Sequence, residues 1–302
     1  MNKEIEQSLL DDISKIKRLP TKDDIKTDRP CALFSFDNTW SLEGVSGKES
    51  DLFRLEMFSE ILKHITPKRA IKFIMYFDDY TKDVDNHDAA SLCFAKMSGQ
   101  NFITIPNIHI LCGFLDSLYK EVADSDIPFD QKKNVSFFAA GPNCNFTDPR
   151  SRYTFRNYNP NRHVVLITNH PSLRVPINLQ IQAKYLVNID GHGLCYDRLY
   201  WQMKSNSVPI YIEPNLNVKQ IPDILFKPDV NYIKCSVMDW ENVFDSLNTE
   251  DGQKKCLDII TNNTKLINSL FDTTTQANGV FTRPLQVYIR QHAGGVMVST
   301  GR

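Results

Sequence analysis

The run Tyr185-Leu186-Val187-Asn188-Ile189-Asp190-Gly191-His192-Gly193, with Arg198 beyond it, holds the residue types that seat a diphosphate. The apolar residues 185–189 predict a buried strand, and Asp190 to Gly193 a turn. Arg198 falls in the first turns of the helix expected next, and a second strand is expected after Ser207. Gly191 and Gly193 allow positive φ and a close approach of backbone to ligand. A helix start adds unpaired N–H groups and the positive end of the dipole, and a guanidinium grips phosphate oxygens in pairs. Taken alone, Asp190, Gly191 and Gly193 also suit the glycine turn of any βαβ unit.

A second constellation is Met75-Tyr76-Phe77-Asp78-Asp79-Tyr80. Here the apolar strand 71–77 stops abruptly at two carboxylates, and α/β sheets place functional groups at the C-terminal ends of strands. An Asp pair that ends a strand and caps the next element fits the local sequence equally well. Glu213, after the strand expected at 208–212, stands where a ribose-binding carboxylate belongs, and reads as readily as a loop acid. Asp83, Asp85, His87 and Asp88 can be drawn as a metal site, but acidic residues in a polar loop are more often simply solvated. Phe36-Asp37-Asn38-Thr39 has the start of an aspartyl phosphatase motif without its second Asp and Gly, so a turn is the stronger reading.

The block from Tyr185 to Val208 resembles the Tyr-Leu-x-Asn-x-Asp-Gly-x-Gly…Arg-Leu-x-Tyr…Gly-Ser-Val block of the Rumi-type glycosyltransferases, glycosyltransferase family 90. The similarity extends over about residues 70 to 270 and is densest at 184–210. It implies an inverting, metal-independent transfer from a UDP-sugar, UDP-xylose or UDP-glucose, to a hydroxyl of an oligosaccharide acceptor, with no cofactor beyond the donor. In that reading Asp79 is the catalytic base, matching the family's Arg-Asp-Tyr/Trp-Pro segment through Asp79 and Tyr80. Asp78 stands where the family has Arg, and Thr81 where it has Pro. The stretch from Phe94 to Asn107 is similar to a segment that lines the acceptor side, which puts Lys96 with Asp78 and Tyr80 on that side. Ser136 to Asn145 is similar to the Phe-Phe-Arg-Gly-Ser/Thr opening of the donor domain, which makes Gly141 and Asn143 donor contacts beside Asp190 and Glu213. The family arginine falls on Ala140. Arg150, Arg152, Arg156 or Arg162 could supply its charge instead, with Arg150 assigned to the diphosphate; a solvated run accounts for at least two of the four.

These residues need strands to present them. Residues 1–28 read as an amphipathic helix and a charged approach, 31–36 as a strand, 38–47 as a turn region, and 52–65 as a helix stopped before Pro67. Strands are expected at 71–77 and 102–105, and a helix at 115–122. The polar piece 123–134 is the expected hinge. Beyond it, strands at 135–139, 163–167, 185–189, 208–212 and 232–235 alternate with helical or looped stretches, which predicts a parallel sheet, and 240–247 and 251–271 read as closing helices. The expected fold class is α/β, and the resemblance implies a GT-B type with two Rossmann-like domains facing a central cleft. Residues 1–130 would be the acceptor-side domain, 131–280 the nucleotide-sugar domain, and 281–302 a tail crossing back to the first.

At 302 residues, 41% hydrophobic and 24% charged, the chain has the composition of a globular protein with a sizeable core. A formal net charge of -1 supplies no global field for nucleic acid or an anionic membrane. No window approaches the ~18 uninterrupted apolar residues of a membrane span, and the start of the chain lacks a signal peptide's apolar core. The 7 cysteines are scattered without a Cys-x-x-Cys pair, the usage of reduced thiols in a cytoplasmic setting. Two rival readings remain: a non-catalytic nucleotide- or glycan-binding protein on the same fold, suggested by Ala140, and a phosphohydrolase built on Asp37.

Overall fold

In a computed structural model, apolar runs broken by Gly, Pro and Asn resolve into two five-stranded sheets with helices beside them. It describes residues 3–25, 29–47, 52–77, 88–94, 96–97, 100–105, 114–140, 159–167, 175–189, 197–212, 218–219, 226–270, 274–294 and 296–298. The protein is α/β, and the chain divides into two units: 1–112 with 217–225 and 277–302, and 113–216 with 226–276.

The first unit contains α1 (Lys3–Ile13), β1 (Cys31–Asp37), β2 (Thr39–Ser46), α2 (Leu52–Leu62), β3 (Ile65–Pro67), β4 (Ile71–Tyr76), β5 (Ser91–Cys93), β6 (Lys96–Met97) and β7 (Ile103–Thr104). Its sheet has the order β2-β1-β4-β5-β7. β4, β5 and β7 run parallel, but β1 is antiparallel to both β2 and β4, so this sheet departs from the all-parallel pattern of a Rossmann-like domain. The expected turn region 38–47 is in fact strand β2. Asn38 alone makes the turn, in the left-handed region at φ 67, where Asn is among the residues most often tolerated. A bulge opposite Leu33/Phe34 pairs Leu42 with Phe34 and Gly44 with Leu33, and this shifts the period-two pattern that marks a strand.

The second unit contains α3 (Phe114–Ser125), β8 (Lys133–Ala140), β9 (His163–Ile167), α4 (Ile177–Gln180), β10 (Ala183–Asn188), α5 (Asp197–Lys204), β11 (Val208–Ile212), β13 (Ile233–Cys235), α6 (Trp240–Leu247) and α7 (Glu250–Leu270). The chain visits the first unit through β12 (Val218–Lys219), which pairs with β6, and ends in α8 (Thr274–Ala293) and β14 (Val296–Val298). β14 pairs with β3, and the Tyr288 hydroxyl of α8 donates to the Lys72 carbonyl at 2.9 Å, which seats residues 277–302 with the first unit.

The piece 123–134, expected as a hinge, lies wholly inside the second unit. It ends α3, forms a turn of 3-10 helix at Phe129–Gln131 and begins β8. Two contacts invisible in a polar sequence hold it there. Phe129 is buried in the sheet's core cluster, and the Lys132 ammonium is enclosed with Asp126 and the Ile181 carbonyl.

The second sheet has the order β13-β11-β10-β8-β9, with every neighbouring pair parallel. Numbered in chain order within the unit, that is 2-1-3-4-5, the doubly wound order whose direction reverses between its first and third strands. Here the reversal lies between β8 and β10. β10 and β11 are interior strands and almost entirely buried, hence the apolar runs Tyr185–Val187 and Val208–Ile212. Tyr185, Val187 and Ile189 pack with Trp240, Phe244, Leu247 and Ile259, so α6 and α7 cover one face. Asn188 points instead to α5.

Candidate functional site

Parallel strands end at one edge of a sheet, and ligands of doubly wound folds bind beyond that edge at the reversal point. β8 ends at Ala140, β10 at Asn188 and β11 at Ile212. The candidates Gly141, Asn143, Arg150, Asp190, Gly191, Gly193 and Glu213 all follow these ends in the chain, and all lie outside the described residues. Arg152 and Arg156 lie outside them as well.

Arg198 is described, as the second residue of α5. Its guanidinium carbon is 5.9 Å from the centroid of the Phe138 ring, on β8. That distance is at the outer limit of a cation–π contact. The arginine thus reaches from the helix that follows β10 to the strand on the other side of the reversal. Beneath it, the Asn188 amide on β10 donates to Gln202 Oε1 on α5 at 2.5 Å and to the Ile210 carbonyl on β11 at 3.4 Å. Both amide residues are buried. Ala140 is buried at the end of β8 and offers no side-chain donor where the resembled family has an arginine.

In the first unit, β4 leads through buried Phe77 towards Asp78, Asp79 and Tyr80, which lie outside the described residues. Sequence reasoning missed Arg54 of α2, whose guanidinium donates to the Phe77 carbonyl. This brings a cation to the end of the strand that precedes both carboxylates. The pairing spans 23 residues of chain, and nothing near Arg54 signals it. Lys96 is 3% exposed, and its ammonium meets Asp12 of α1 at 2.6 Å and the Phe102 carbonyl at 2.7 Å. Burial pushes its pKa below the usual lysine value, with Asp12 opposing that shift. Those contacts make it an internal anchor between α1 and the segment leading into β7.

One expectation is corrected, and at Asp37 the turn that was the stronger reading is observed. Arg162 was one of four candidates for the missing phosphate-binding charge, but it directly precedes β9, at the N-terminal edge of the parallel sheet. There it pairs with Glu241 at 2.8 Å and with Asp245, and lies 4.6 Å over the Phe244 ring. Asp37 is exposed at the tip of the β1–β2 hairpin, on a strand antiparallel to β4. It therefore ends at the edge opposite the C-terminal ends of β4, β5 and β7, away from where a phosphatase nucleophile belongs.

A polar centre that sequence reasoning did not find lies near the same N-terminal edge. His163 Nδ1 is 2.7 Å from Ser136 Oγ and accepts from Trp240 Nε1 at 3.2 Å, while Nε2 is 3.0 Å from Glu241 Oε1. An indole N–H only donates, so Nδ1 keeps its lone pair and Nε2 carries the proton towards Glu241. Burial pushes the His163 pKa below its usual value, with Glu241 opposing that shift. The residue types are those of a hydrolytic triad, but Ser136 is fully enclosed and Trp240 shares the lone pair that would take its proton. The cluster joins β8, β9 and α6.

Compared with models of protein families, the chain matches none, and no curated protein matches it in sequence. Among the described residues, no helix is long and apolar enough to cross a membrane.

Proposed function

We propose that the protein is an inverting glycosyltransferase of GT-B type that moves xylose or glucose from a UDP-sugar to a glycan hydroxyl. The observation that carries the reading is Arg198 on α5, reaching over Phe138 at the point where the parallel sheet reverses. In this reading Arg198, with the backbone N–H groups of Gly191 and Gly193, stabilises charge that grows on the leaving UDP. Asp79 takes the proton from the acceptor hydroxyl as its oxygen attacks the anomeric carbon. In-line displacement then inverts that carbon and gives a β-linked product. Arg150 is the proposed substitute for the charge missing at Ala140. The reading uses no metal and assigns the enzyme to the cytoplasm.

The test is incubation with a panel of nucleotide sugars in EDTA, with release of nucleotide diphosphate measured in the presence and absence of oligosaccharide acceptors. Turnover of a UDP-sugar that disappears in Asp79→Asn, with UDP binding retained, is the expected result. Wild-type turnover in Asp79→Asn would reassign the base, and no response to any UDP compound would sink the reading. Ala140 favours one rival, a nucleotide- or glycan-binding protein without transfer, which predicts stabilisation by UDP and no turnover with any acceptor.

A further inference from the structure

We propose that Asn188 and Gln202 are positioning residues, a buried amide latch that sets the rotation of α5 and so holds Arg198 at the reversal point of the sheet. The inference rests on the donor reading above and adds to it the pair that keeps its arginine in place. Arg198 and Gln202 are four residues apart on α5, hence one turn apart on the same face. Gln202 is 2% exposed and Asn188 5% exposed, so their amides meet with little access to water. The Asn188 Nδ2 group donates to Gln202 Oε1 at 2.5 Å and to the Ile210 carbonyl at 3.4 Å, which ties β10, α5 and β11 through one side chain.

Burial alone would be served as well by two apolar side chains. A directional bond adds a fixed helix phase, because a buried amide that loses its partner carries a desolvation penalty. Side chains reach about 5–6 Å from a helix axis, so a rotation of about 20° would carry the tip of Arg198 about 2 Å along its arc. Charge-assisted bonds to phosphate need about 2.7–2.9 Å, and misplacement of about 1 Å can cost on the order of a hundredfold in rate. The latch therefore acts on the donor through Arg198.

The experiment is a double-mutant cycle of Gln202→Met with Arg198→Ala, read by calorimetric titration with UDP and by the Arg198 side-chain Nε–H resonance, which senses the Phe138 ring. Methionine keeps the volume and removes the acceptor. In the Arg198 background Gln202→Met should weaken UDP binding about tenfold, within the range of residues coupled through one network. In the Arg198→Ala background its effect should nearly vanish, and Gln202→Glu, which retains the acceptor oxygen, should restore most of the loss. Equal losses in both backgrounds would show a merely structural pair and overturn the proposal. If Gln202→Met does not fold, Asn188→Leu removes the same bond from the strand side and enters the same cycle. If wild-type protein fails to bind UDP, the donor reading falls and the resonance decides the latch. A shift in the variant supports it, and an unchanged position overturns it.

Discussion

His163 makes the stability of the second unit depend on pH in a direction set by its burial. Its side chain is wholly enclosed, Nδ1 accepts from an indole that cannot accept in return, and burial pushes its pKa down. A depressed histidine pKa means that the unfolded chain takes up a proton first as pH falls. Stability is therefore complete above the ordinary histidine value of about 6.5 and is lost as pH drops through it. Between pH 7.5 and 5.5 one such group removes at most about 1.4 kcal/mol. His292 in the first unit is shifted the same way by burial, so the probe must see only the second unit. Of the 3 tryptophans, Trp201 and Trp240 lie in that unit, and Trp40→Phe leaves them as the sole indole signals. Urea unfolding followed by their fluorescence at the two pH values should show the acid loss in this background. It should be absent once His163→Gln, which hydrogen-bonds but does not titrate there, is added. The same acid loss with and without His163 would refute the account of the neutral, tryptophan-bound imidazole.

Gly252 in the first turn of α7 should resist substitution. A Cβ there would lie 2.1 Å from the Ser246 carbonyl oxygen and 2.6 Å from Leu247 Cα, both backbone atoms. Alanine would gain about 1 kcal/mol in helix propensity, but overpacking of this kind costs about 1–3 kcal/mol, so Gly252→Ala should lower the urea midpoint, and a raised midpoint would show that the junction yields. Arg198→Ala should weaken UDP binding roughly 10–100-fold, the range for a hydrogen bond to a charged group, and slow transfer as well; unchanged titration and kinetics would leave the arginine only a packing role on Phe138.

The parallel sheet was legible because its central strands are buried on both faces. Tyr185 to Ile189 is apolar except for Asn188, Val208 to Ile212 is apolar throughout, and both suit interior strands of a parallel sheet. Strand β2 was not legible, since the bulge moves its pattern out of phase at Glu43 and edge exposure leaves Leu42 and Val45 in solvent. The piece 123–134 misled for a related reason. Its lysine and aspartate are polar in sequence yet spend their charge on each other and on a carbonyl in the interior. Among the candidate residues, Arg198 could be singled out from its place after Gly191 and Gly193 in the sequence. Arg54, Asn188 with Gln202, and Ser136 with His163 could not, because each depends on contacts between elements distant in sequence. The side chains that bring these groups together carry no local periodicity of their own.

Two buried polar clusters therefore occupy opposite parts of one parallel sheet, and their hydrogen-bond chemistry separates their roles. Around His163, a donor-only indole, a serine, a carboxylate and an arginine satisfy one another at the edge where the strands begin. A group so enclosed stabilises the join of β9 to α6, and using it for chemistry would mean breaking that join. Around Asn188 the amide pair is equally enclosed, but it lies one helical turn from a guanidinium at the edge where the strands end. Burial fixes the amides there while the arginine remains half-buried, at the reversal where a doubly wound sheet receives its ligand. Enclosed polar groups thus hold the sheet at the edge where its strands begin, and at the ends of β8 and β10 a second enclosed pair lies one helical turn from Arg198. The serine–histidine–glutamate cluster, though it has the more familiar residue types, belongs to the framework.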